Sequence, residues 1–220
     1  MRGFTLVEML VVLGIISVIT AIAVLGQSSF NKSILLTETS YGVAFSARQA
    51  QTFGISSRNF QQGAVSYQRA GYGLHFDIQT PDRYTLFADT SKACLGYAPT
   101  CPVGTTGLPD EKPGNCRFDQ CGGGSDGIVS TYQFSRGFTI TKFCVKSTAY
   151  GNYCTDTSSM RTLDVVFTRP NTTTTIVGDP SGASINFTCA EVTITDASGQ
   201  SSKSIRFSSL GEIAIGQSCP

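Results

Sequence analysis

Polar and apolar positions divide this chain into stretches of different period. From Met9 to Leu25 the run is apolar except for Ser17 and Thr20, with Glu8 at its edge. Measured from Phe4, the segment is long enough, at about 1.5 Å per residue, to cross a bilayer as a helix. After Gly26 the sequence turns polar, yet Ile34, Leu35, Tyr41, Ala44, Phe45, Arg48 and Gln49 keep close to a 3.6-residue beat, with no proline up to that point. The pattern predicts one helix from Phe4 to about Gly54, membrane-spanning over 4–25 and amphipathic over 26–54. Gly14 and Gly26 weaken it by about 1 kcal/mol each relative to alanine. The apolar face of the second half is expected to lie against a globular head at 55–220.

Beyond Ser56 the period switches to two. Strands rich in β-branched and aromatic residues are predicted at Gly71–Asp77, Tyr84–Ala88, Ile128–Phe134, Phe138–Val145, Leu163–Phe167, Ile185–Ile194 and Ile205–Phe207. Ser135-Arg136-Gly137 reads as a hairpin turn, and Ser209-Leu210-Gly211 before Glu212-Ile-Ala-Ile215 as another. The predicted class is α+β, a long N-terminal helix packed on an antiparallel β head. Between 90 and 127 the alternation breaks into a cysteine-, proline- and glycine-rich insertion, a long loop expected to be stapled by disulfides.

Composition adds an address. The eight cysteines, Cys94, Cys101, Cys116, Cys121, Cys144, Cys154, Cys189 and Cys219, all follow the helix, as expected for disulfides in an oxidising compartment. They allow roughly 100 connectivities; sequential neighbours, 94 with 101, 116 with 121, 144 with 154 and 189 with 219, are the expected pairing. No C-x-x-C spacing is present and His75 is the only imidazole, which argues against zinc, so no metal residues are assigned. The same spacing argues against thiol oxidoreductase chemistry. No cofactor is called for, although Asp110, Glu111, Asp119 and Asp126 in the insertion offer oxygen ligands that calcium could use.

Glu8 carries the most chemistry. An acid costs roughly 2.5–3.5 kcal/mol at the centre of a bilayer, so it asks for a cationic partner. A cut after Gly3 would create one, the new amine of Phe4, on the same chain or a neighbour. A secretory signal ending near Ala21-Ile22-Ala23 has no use for Glu8. A plain single-span anchor explains the hydrophobicity but not the order of residues before it. In either case Arg2 marks the cytoplasmic side and the head projects outward.

The order Gly3-Phe4-Thr5-Leu6-Val7-Glu8 before an apolar helix resembles the N-terminal signature of type IV pilins and the pseudopilins of type II secretion. That resemblance implies a leader at 1–3 removed by prepilin peptidase and N-methylation of Phe4. It also implies that Glu8 guides docking into a filament of other pilin or pseudopilin subunits. The location implied is the bacterial inner membrane, then a pilus or pseudopilus. Ala44–Gln51 with Gly54 and Arg58, Gly71–Phe76, and Ile205–Phe207 followed by Gly211 are similar to the minor-pilin group containing the H-type pseudopilin and the T-type fimbrial minor pilin. Members of that group place a long helix against two β-sheets.

Other functions draw less support. His75 alternates with Leu74 and Phe76 in a predicted strand and reads as a satisfied sheet residue; no catalytic constellation is found, and the chain is not expected to be an enzyme. Some T-type relatives capture DNA, and Arg136, Lys142 and Lys146, with Tyr132 and Phe138 nearby, are the candidate contacts. Loss of Arg2 would leave equal numbers of basic and acidic residues, since the chain holds 16 Lys and Arg against 15 Asp and Glu, so no global attraction to phosphates exists. Three classes remain: a structural filament subunit, a pilus-borne module binding DNA or a surface, and an anchored ectodomain unrelated to filaments.

Overall fold

The computed structural model describes residues 3–56, 58–67, 70–90, 114–118, 125–135, 137–147, 151–157, 160–168, 173–178 and 187–219, without the side chains of 24–30 and 65. One helix, α1 (Leu6–Ile55), runs through Gly14 and Gly26 without a break. Its entry is set by Thr5, whose Oγ1 accepts the Glu8 N–H at 3.3 Å, and its exit by Ser56, whose N–H donates to the Thr52 carbonyl at 2.9 Å.

Twelve strands follow among the described residues: β1 (Phe60–Gln62), β2 (Val65–Tyr67), β3 (Gly71–Asp77), β4 (Arg83–Asp89), β5 (Gly127–Gln133), β6 (Thr139–Ser147), β7 (Gly151–Cys154), β8 (Thr162–Phe167), β9 (Thr174–Gly178), β10 (Cys189–Thr195), β11 (Ser202–Ser208) and β12 (Ile213–Ile215). They form a β1–β2 hairpin and two five-stranded antiparallel sheets, ordered β5-β4-β3-β8-β9 and β12-β11-β10-β6-β7. The α+β class is as the sequence predicts. Strands β1, β2, β7 and β9 escape the sequence reading because, at three to five residues each, they are too short to stand out from turns.

Alternation along the strands builds one core from both sheets and the helix. Tyr72, Leu74 and Phe76 of β3 and Leu163, Val165 and Phe167 of β8 face Ile140, Phe143 and Val145 of β6 and Ile205 and Phe207 of β11. The Phe76 and Phe207 rings, one from each sheet, lie 6.1 Å apart.

The buried face of α1 differs from the expected one. Leu36, Ser40, Val43, Ala47, Ala50 and Gly54 are buried, recurring at alternating four- and three-residue steps. Ile34, Tyr41 and Phe45 are 49, 62 and 72 % exposed on the opposite side. Helix and sheet approach most closely at its end: a Cβ on Gly54 would come within 2.3 Å of the Phe167 carbonyl oxygen, so no side chain fits at that position. Polar ties hold the same face, with Gln51 Nε2 donating to the Gly211 carbonyl at 3.0 Å and the Tyr132 hydroxyl to Gln49 Oε1 at 3.4 Å.

Buried Ser46 lies 2.9 Å from the Tyr84 hydroxyl. Burial pushes Tyr84 from 10.0 up to about 12, the Ser46 hydrogen bond opposing the rise. The folded state therefore holds this proton longer than the unfolded chain, so the contribution is complete below pH 10 and is lost as pH rises from 10 to about 12. The expected loss is about 2–3 kcal/mol in full, of which about 1.4 kcal/mol appears by pH 11. Urea midpoints at about pH 9 and pH 11 check it, since Tyr84→Phe should abolish this part of the alkaline decline.

Candidate assembly and processing segment

Gly3 and Phe4 precede the helix, and Phe4 is 77 % exposed. Thr5-Leu6-Val7-Glu8 has the spacing of a capping box, and Glu8 lies in the first turn, where a carboxylate complements the helix dipole. The Glu8 carboxylate has no ion-pair partner among the described residues. The sequence signal for Thr5 was the capping spacing itself, which the hydropathy reading passed over.

Residues Leu6–Ala23 form a helix long and apolar enough to cross a membrane, and none of it is covered by the head. Its two hydroxyls fit that setting. Ser17 donates to the Leu13 carbonyl and Thr20 to the Ile16 carbonyl, each at 2.8 Å, so neither needs water.

The head disposes of the remaining candidates differently. Cys144 is bonded to Cys154 across neighbouring β6 and β7, and Cys189 to Cys219, which ties the C-terminal tail to β10. These are two of the four sequential pairs expected. Cys116 is also disulfide-bonded, while Cys94, Cys101 and Cys121 lie outside the described residues. The bond from Cys189 to Cys219 spans 30 residues against 10 for the other, so its removal by paired serine substitutions is expected to cost roughly 1 kcal/mol more. Thermal melting of the two double variants measures the difference.

Of the DNA candidates, Arg136 lies outside the described residues. Lys142 Nζ donates to Asp156 Oδ2 at 2.6 Å, and this contact holds the Asp156 carboxyl below its usual range. Lys146 stands opposite Asn152 of β7. The aromatics meant for base stacking are committed elsewhere: Phe138 is in the core and Tyr132 stacks on Tyr84 at 5.1 Å. Among the described residues, Lys142, Lys146, Tyr132 and Phe138 form no basic, aromatic-lined surface.

For calcium, Asp110, Glu111 and Asp119 lie outside the described residues. Asp126 is buried and its Oδ1 accepts the Thr90 N–H at 2.8 Å, a bond between residues 36 positions apart that joins the two ends of the insertion. Among the described residues no group of three His, Cys, Asp or Glu side chains could hold a metal.

His75 Nδ1 lies 2.7 Å from Asp164 Oδ1, and the Phe118 ring sits 4.5 Å from the imidazole. This is the outer face of the β3 sheet. Phe87, Val166 and Val177 form a second apolar cluster there with Cys116 and Phe118. The cysteine-rich insertion is anchored on it through Asp89, whose carboxylate accepts the Asn115 N–H at 2.9 Å and the Cys116 N–H at 2.7 Å. Asp89 was invisible as an anchor in sequence because its partners are backbone groups 26 and 27 residues away.

At the base of the head an open groove of about 370 Å³ lies between α1 and the β10–β11 turn, lined by Lys32, Leu35, Phe138 and Asp196. The Ser198 hydroxyl and the backbone N–H groups of Ser201 and Gln200 hold the Asp196 carboxyl below its usual range.

Residues 1–24 match the family model described as the prokaryotic N-terminal methylation motif. No curated protein and no solved structure gives a significant match to the chain. The motif supports a type IV pilin-like or pseudopilin subunit in general, and the N-terminal apolar helix fits a membrane-anchored protein.

Proposed function

We propose that this chain is a minor subunit of a type IV pilus or type II secretion pseudopilus, of the group resembling the H-type pseudopilin and T-type fimbrial minor pilin. Prepilin peptidase removes residues 1–3 at the inner membrane, Phe4 is N-methylated, and the subunit enters the filament through its helix with the head outside the cytoplasm. The observation that carries this reading is the methylation motif over 1–24 joined to an apolar helix that the head leaves wholly uncovered.

The physical driver is exchange of lipid for protein around Leu6, Val7, Met9, Leu10, Val11, Val12, Leu13, Ile15 and Ile16, all exposed in the isolated chain. Burying such side chains from water is worth about 1.5–3 kcal/mol each, and leaving lipid for protein contributes less. Register therefore falls to Glu8, because a mispaired position leaves its charge unmatched in an apolar setting.

The intact mass and N-terminal sequence of protein recovered from membranes of a cell with prepilin peptidase test the reading. Loss of Met1–Gly3 with one methyl gained on Phe4 is expected. A chain still starting at Met1, or cut near Ala23, would overturn it in favour of a plain anchor or a secreted domain.

A further inference from the structure

The open groove at the base of the head carries two opposite charges that do not close on each other. Among the described residues Lys32 and Asp196 are the only ionised groups lining it, and they form no ion pair with one another. Asp196 is fixed before any ligand arrives. It is 6 % exposed, its Oδ1 accepts the Gln200 and Ser201 N–H groups at 3.0 and 3.1 Å, and its Oδ2 accepts the Ser198 hydroxyl. A carboxylate offers about four lone-pair sites, so one on Oδ2 is left. Lys32 is the opposite kind of group, an exposed ammonium on a flexible stem, one helical turn before Leu35. The lining is otherwise mainly apolar, with half-buried Leu35 and buried Phe138.

Height above the bilayer and charge together select the occupant. The apolar run ends at Leu25 and α1 continues unbroken, so Lys32 stands roughly 10 Å beyond the hydrocarbon. The headgroup layer of one leaflet is about 5–8 Å thick, and a lysine stem reaches back toward it. The groove therefore opens at the level of the headgroups. At about 370 Å³ it lies at the lower end of small-molecule clefts, about 300–1,000 Å³, which suits a headgroup and not a protein element. An anionic headgroup without an amine satisfies Lys32 but sets its phosphate beside Asp196. A quaternary amine brings no N–H to the open site on Asp196, whereas a primary ammonium does.

We propose that this groove seats the zwitterionic headgroup of a phospholipid with a primary amine, its phosphate on Lys32 Nζ and its ammonium donating to Asp196. The inference rests on the membrane-anchored part of the reading above and is independent of filament assembly. The contact holds the head against the bilayer surface while the subunit resides there. Leaving the bilayer breaks it.

The full-length chain, reconstituted into vesicles with equal parts of phosphatidylethanolamine, phosphatidylglycerol and phosphatidylcholine and then extracted in mild detergent, tests the site. Native mass spectrometry counts the lipids that stay bound. Phosphatidylethanolamine should be retained about fivefold over either of the others, the worth of one well-placed exposed charge contact. Lys32→Ala should remove that preference and Lys32→Arg should keep it. Because Asp196 also holds its own turn, its side is tested on the ligand: N,N-dimethylated phosphatidylethanolamine, with fewer N–H donors, should be retained less than the parent lipid. Phosphatidylglycerol or phosphatidylcholine retained as strongly as phosphatidylethanolamine would overturn the proposal, as would a preference that survives Lys32→Ala. Soluble phosphoethanolamine binding as tightly as the lipid would put the occupant in solution and overturn it too. Alkaline washing of the same vesicles separates the causes. A chain that stays in the membrane without the preference refutes the groove alone, whereas a chain that washes out refutes the anchor and the groove with it.

Discussion

Phe76→Ala is expected to lower the unfolding free energy of the head by about 3–5 kcal/mol, a large part of what a domain of this size has to lose. Phe76 is fully buried on β3, with the Tyr84 ring at 5.9 Å in its own sheet and the Phe207 ring at 6.1 Å in the other. Truncation removes the side chain that joins the two sheets and leaves a cavity between elements that cannot close on it without shifting α1. Urea denaturation of the protein lacking residues 1–25 measures the change. Ile128→Ala, at a position 52 % exposed, serves as the control and should shift stability by under about 0.5 kcal/mol. A Phe76→Ala cost below about 1 kcal/mol would mean that the sheets do not depend on one shared core.

Glu8→Ala is expected to leave membrane insertion intact and to reduce filament incorporation on the order of 100-fold. Insertion is eased because an acid leaves the span. Incorporation suffers because the cationic partner, the Phe4 amine of a neighbour in the proposed assembly, then enters an apolar setting unpaired, a penalty of about 3 kcal/mol when one member of a buried pair is removed. The Thr5 cap bonds to the Glu8 backbone, so the start of the helix survives the change. Membrane fractionation and sheared-filament yield, measured on the same cells, separate insertion from assembly. Normal incorporation of the variant would falsify the register role of Glu8.

Much of the architecture was legible in the order of residues because it depends on local patterns. An apolar run with a single acid at its head and the Gly3-Phe4 pair of the methylation motif before it are contiguous features. Strands such as β3, β4, β6 and β10 announced themselves by alternation, since one face of each had to be buried. What misled was the second half of α1. There Ile34, Tyr41 and Phe45 are the large apolar residues, and hydropathy assigns them to the core, whereas the structure buries Leu36, Val43, Ala47, Ala50 and Gly54.

The reason is distance. How near the helix axis comes to the sheet is set by Phe167 meeting Gly54, two residues more than a hundred positions apart, and a pattern confined to one helix holds no record of it. The same holds for Asp89 gripping the backbone at Asn115 and Cys116, and for Lys142 being engaged by Asp156 instead of standing free for a phosphate. By itself the sequence determined the class, the apolar anchor, its methylation motif and the charge at its head, because local chemistry suffices for each. Only the tertiary structure decided which face of the helix is spent on the head and which stays exposed, because that choice depends on how closely two distant backbones can approach.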